Sequence, residues 1–153
     1  MSAVTRTTRP ARTAAAAAAV GFAGIALFQA ALAAGAPLGH AAWGGAHAHL
    51  SSSQRIGSGV AVLVWMAAAL VVLGRAGVWS AGRHALLFRR GTWFLAGVSV
   101  LAAIMNLASQ SRWENAIFGP LAIALAVLCT IVARSGPDGQ PRTRNTATAA
   151  PPH

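Results

Sequence analysis

Acid is nearly absent from this chain: Glu114 and Asp138 stand against twelve arginines and no lysine, giving a formal charge of +10. Charged residues are 9% of the 153 and apolar ones 56%, whereas a soluble domain carries about 25% charge, so an ordinary water-soluble globule is excluded. One cysteine is present, Cys129, which excludes an internal disulfide or a cysteine-based zinc site; lying in an apolar run, it reads as a small packing residue. The apolar runs hold no histidine, as haem between helices would need, and no Asp, Lys or Glu at depth, as proton-coupled transport would need, Glu114 standing at the very start of the last run. A Ser/His/Asp set, a phosphate loop and a dinucleotide fingerprint are also missing, so nothing demands an enzyme or a cofactor. Nucleic acid would require arginines gathered on a folded soluble face; here they lie between hydrophobic runs, which points to anionic lipid headgroups.

What is present is four apolar runs, at about 14–34, 54–74, 92–108 and 113–133. The first holds 21 residues, about 31 Å of helix at 1.5 Å each, which matches the hydrocarbon core of a bilayer. The expected fold is therefore all-α and polytopic, four transmembrane helices in an antiparallel bundle over 14–134, between a basic tail at 1–13 and a polar tail at 135–153, both expected to be disordered. Ala31-Leu32-Ala33 also fits a signal-peptide cleavage pattern, but the run before it exceeds the usual apolar core of about 7–15 residues, so it reads as an uncleaved span. Small residues, among them Ala14 to Ala19 and Ala67 to Ala69, read as close helix packing.

Local signals mark the helix ends. Ser111-Arg112-Trp113-Glu114 fits a capping box, with Ser111 accepting from the Glu114 N–H and the Glu114 side chain returning to the Ser111 N–H. Ser51 to Gln54 is a second box. Pro120 removes one intrahelical bond and should bend the last helix near its start. Between the first two spans Gly35, Pro37, Gly39, Gly44 and Gly45 break the helix, and Trp43 suits a membrane interface, whereas Trp65, near the middle of a span, reads as packing. Residues 75–91 carry Arg75, Arg83, Arg89 and Arg90, with Trp79 and Leu86 seven apart on one helical face, which suits a segment lying in the headgroup region.

Counting arginines sets the expected orientation. The N-tail, the 75–91 loop and the C-terminal end carry ten of them, and the 35–55 loop and the 109–115 turn one each. Both termini are then cytoplasmic in a bacterial plasma membrane, with the Gly/His loop and the Glu114 turn outside. On that side His40, His47 and His49, with Glu114, sketch a weak metal site, for Zn or Cu, lacking second-shell support.

Gly35-Ala36-Pro37-x-Gly39, Gly44-Gly45, Arg55, Asn106-Leu107, Ser111-x-x-Glu114 and Gly119-Pro120 together resemble an uncharacterised family of small four-span bacterial membrane proteins, which typically has a tryptophan where this chain has Leu38. The resemblance, over 14–134, implies four helices and no particular activity. It includes none of the three loop histidines, and if its marks meet, Arg55 and Glu114 would form an ion pair. The leading functional expectation is a non-catalytic accessory, scaffolding or self-associating membrane protein. A small transporter or channel-like oligomer, with Gln29 and Asn106 lining a path between copies, is the first alternative, and a metal-binding protein the second.

Overall fold

The computed structural model describes residues 9–79 and 84–135. Arg83 and most of the two tails, expected to be disordered, lie outside that set. Four helices fill most of it: α1 (Arg9–Ala34), α2 (Ser52–Arg75), α3 (Ala85–Leu107) and α4 (Gly119–Arg134). Two 3-10 turns, Gly39–Ala41 and Trp43–Gly45, lie in the α1–α2 loop, and a π turn, Glu114–Phe118, runs directly into α4. With that turn, each of the four is long and apolar enough to cross a membrane.

Alanine is the best helix former, and α1 carries an uninterrupted run of it. Its buried residues, Ala11, Ala14, Ala15, Ala18, Phe22 and Ala26 among them, recur three and four apart, which places them on one stripe. That stripe meets Ala68, Ala69 and Val72 of α2, where small side chains let backbones approach closely, as the alanine runs imply. Phe22, fully buried, stacks on Trp65 at 5.6 Å, and Leu95, Ala96, Leu125 and Cys129 complete this core. Trp65 is thus a packing residue. A second cluster joins Ala14 and Ala15 of α1, Ala76 just past α2, and Val132 of α4, so the start of α1 and the ends of α2 and α4 meet at one end, the arginine end. Facing away from the core, Leu27 is 74% exposed, Leu63 72% and Phe94 71%; an apolar surface of that kind is suited to lipid rather than water.

In lipid every backbone polar group has to be satisfied within the protein, and helix ends leave their last carbonyls open. Three ends are closed by side chains from elsewhere. Arg55 Nε donates to Ala33 O at 3.0 Å, Arg75 Nη2 to Ala133 O at 3.2 Å, and Asn115 Nδ2 to Leu107 O at 2.6 Å. After α1, Gly35 at φ +98 supports a Schellman turn in which Gly35 N–H bonds to Leu32 O and Ala36 N–H to Ala31 O, each at 3.0 Å.

Three expectations about the helices differ from the structure. Residues 9–13, expected in the disordered N-tail, form the first turn of α1, with Ala11 buried. The latter part of the expected interfacial segment is not separate from the third span: α3 begins at Ala85 rather than Thr92, so Leu86, Leu87, Phe88, Arg89 and Arg90 are in its first turns. Phe88 is held against the bare backbone of Gly74, where an added Cβ would fall 2.6 Å from its ring, and Thr92 back-bonds to Phe88 O at 2.7 Å within the helix instead of starting it. Pro120 lies in the first turn of α4, and the bend expected there takes the form of the preceding π turn, whose Gly119 N–H reaches Glu114 O. Widening that turn accommodates a ring that would otherwise meet the carbonyl four residues back.

Candidate functional site

Opposite the arginine end, the α1–α2 loop folds over the turn between α3 and α4, and Glu114 and Ser111 join them. Glu114 Oε1 accepts the Gly44 N–H at 3.1 Å, and its Oε2 accepts the Ser109 hydroxyl. Ser109 Oγ in turn accepts the Ser111 N–H at 3.1 Å, while Ser111 Oγ accepts the Glu114 N–H at 3.4 Å and donates to His40 O at 2.8 Å. The expected capping box is therefore half direct and half relayed: Glu114 reaches the Ser111 N–H through the Ser109 hydroxyl, which frees one carboxylate oxygen for the loop. Ser51, by contrast, forms the complete box with Gln54.

The loop has the backbone this docking needs. Trp43, Gly44 and Gly45 all have positive φ, at 54°, 80° and 74°, which turns the Gly44 N–H toward the carboxylate. A Cβ on Gly45 would lie 2.9 Å from His40 O and 3.0 Å from Ser111 Cβ, so only glycine fits beneath the turn. Gly39 is buried, its N–H bonded to Ala48 O at 2.8 Å and its bare Cα pressed on the His47 carbonyl. Trp43 holds an unfavourable backbone conformation for a bulky residue, and its indole N–H donates to the fully buried Ser58 at 3.3 Å. The ring lies half-exposed over Gly57.

Gly35, Gly39, Gly44, Gly45, Arg55, Ser111 and Glu114 thus converge on this end of the bundle, with Pro37 exposed in the loop beside them. Arg55 and Glu114 do not form the expected ion pair. Arg55 is taken by Ala33 O, where a cation suits the negative end of α1, and Glu114 by Gly44 and Ser109. The histidines do not assemble either: His40 Nδ1 bonds to Gly45 O at 2.9 Å, His47 and His49 are exposed, and among the described residues no group of three or more His, Cys, Asp and Glu could hold a metal. Asn115 had no sequence signal, and Ser109 only that of a helix end.

Beneath the docked loop lies a partly open cavity of about 280 Å³. Its lining includes Gln29 of α1, Ser99 and Asn106 of α3, Glu114, and the rings of Phe28, Trp43, Trp65 and Phe118. Phe28 meets Phe118 at 5.0 Å, and toward the arginine end Trp65 and Leu125, part of the packed core, close the space. Asn106 Nδ2 is spent on Ala102 O at 2.8 Å within its own helix. Gln29 Oε1 is buried with no hydrogen-bond partner in the protein, a deficit of about 1–3 kcal/mol for such a group. Gln29 and Asn106 therefore line one space inside a single chain, where the sequence suggested a path between copies.

The fold and this end together define a four-helix architecture fit for a multi-pass membrane protein. No family model, no curated protein and no solved structure matches the chain.

Proposed function

We propose that this protein is a multi-pass membrane protein that binds a small solute among its own helices, the capacity that a small carrier needs first. The observation that carries the reading is the unpartnered Gln29 Oε1 in a cavity that also collects Ser99, Asn106 and Glu114, the polar side chains of otherwise apolar helices. Buried polar groups in lipid are expensive, and they are retained where a ligand or pathway uses them. A pure scaffold, the leading expectation from composition, requires no such space. The remaining parts of the proposal rest on the sequence: an antiparallel bundle in a bacterial plasma membrane, cytoplasmic termini, anionic headgroups held by Arg75, Arg83, Arg89 and Arg90, and a chain capable of self-association.

Two cavity tryptophans supply the assay. Benzyl alcohol, titrated into the full chain in phosphatidylcholine nanodiscs, should change tryptophan emission saturably, and Ala102→Phe, which fills the cavity wall, should remove the saturable part. A strictly linear response in the wild type, identical to that of Ala102→Phe, would refute the reading.

A further inference from the structure

We infer that the cavity is a site for a small organic ammonium ion with an apolar or aromatic body, for which Glu114 is the counter-ion. The inference rests on the solute-binding reading and adds the charge and class of the solute. Glu114 is the one acidic residue among the described residues, and it lines this cavity, whereas no arginine does. A carboxylate at the edge of a low-dielectric space attracts a cation far more strongly than it would in water, and it repels an anion. Four aromatic rings, Phe28, Trp43, Trp65 and Phe118, line the same space. Their faces carry negative potential and favour a cation within about 6 Å.

Hydrogen bonding points the same way. Glu114 already accepts one donor on each oxygen, and a carboxylate oxygen has a second lone pair, so it can take an ammonium N–H without releasing the loop. Gln29 Oε1 is a further buried acceptor with no donor in the protein. Its amide can present either end by rotating, so Glu114 sets the sign of the ligand and Gln29 completes its polar contacts. The volume, about 280 Å³, falls just below the range of about 300–1,000 Å³ that takes drug-sized ligands, so the cation is a small one.

Three probes of one shape and different charge test this: benzylammonium chloride, benzyl alcohol and sodium benzoate, titrated into the full chain in phosphatidylcholine nanodiscs. Hydrogen bonds to a charged group predict benzylammonium binding at least about tenfold tighter than the alcohol, with benzoate weakest. Glu114→Gln should bring the ammonium-to-alcohol ratio close to one. Should that variant fail to fold, Ala102→Phe, which leaves the carboxylate and its bonds in place, should abolish binding of both ligands. Alcohol binding with no preference for ammonium would overturn the ammonium assignment and leave the solute-binding reading standing; binding of neither would overturn both. Ammonium binding that survives both substitutions would place the cation elsewhere and overturn the assignment. Exchanging phosphatidylcholine, whose headgroup ammonium has no N–H, for phosphatidylethanolamine, whose headgroup ammonium has three, separates two sources of an N–H donor to Glu114: weakened benzylammonium binding identifies the lipid headgroup as the occupant, and unchanged binding a free amine.

Discussion

Replacing Glu114 by alanine should loosen the α1–α2 loop on the bundle without unfolding the helices, since Ser111 still donates to His40 O and Trp43 to Ser58. The carboxylate makes two bonds, to the Gly44 N–H at 3.1 Å and to the Ser109 hydroxyl, and both partners lie in turns rather than in helix ladders. Hydrogen bonds to a charged group contribute about 1.5–3 kcal/mol each, and because the Gly44 bond is exposed the lower figure applies to it. Only the Gly44 bond reaches the loop, Ser109 lying on the same turn as Glu114, and discounting it for solvent screening leaves about 1 kcal/mol, a factor of about 5 in the opening equilibrium of the loop. Hydrogen exchange followed by mass spectrometry reads this directly, since the Gly39, Ala42 and Gly45 amides are bonded within the loop, to Ala48, Gly39 and Ala42 oxygens. Their exchange should quicken by about fivefold in Glu114→Ala, while amides in α1 to α4 keep their rates. Glu114→Gln keeps one acceptor oxygen for two donors and should fall between, at about twofold. Loop exchange indistinguishable from wild type in Glu114→Ala would show that the carboxylate does not hold the loop down, whatever else it binds.

Gly45→Ala should lower thermal stability in detergent by at least about 1–2 kcal/mol, because φ +74 strains any L side chain and the new methyl would press on His40 O and Ser111; an unchanged melting temperature would refute the packing described at that turn. Arg55→Ala should cost about 1 kcal/mol through the lost bond to Ala33 O. Since Arg55 and Glu114 take separate partners, the charge-swapped double mutant should show a coupling below about 0.5 kcal/mol, and a clear rescue would reinstate the ion pair. A reporter enzyme fused after Ser109 should be active outside the cell, with cytoplasmic activity there overturning the orientation drawn from the arginine counts.

The four apolar runs, the Ser51 box and the small-residue packing of α1 were legible because each depends on residues close in sequence: length against bilayer thickness, a cap three residues from its partner, a stripe repeating every turn. The convergence of Gly44, Gly45, Ser111 and Glu114 was legible only as a shared end. Which atoms meet there depends on how two distant turns are set against each other. The resemblance offered Arg55 as the partner of Glu114 because both are among its marks and carry opposite charges. The structure instead gives Arg55 the open end of α1 and Glu114 a backbone N–H exposed by three successive residues of positive φ.

Hydropathy and arginine placement by themselves determined that this chain is a set of four lipid-compatible helices, since transfer into a bilayer is governed by composition over about 20 residues and needs no tertiary contact. Only the folded arrangement decided that α3 starts before its apolar run, that a π turn accommodates Pro120, and that Gln29, Ser99, Asn106 and Glu114 line one cavity. Those outcomes follow from which helix faces are brought together, and residues up to 85 positions apart, such as Gln29 and Glu114, carry no local trace of that pairing.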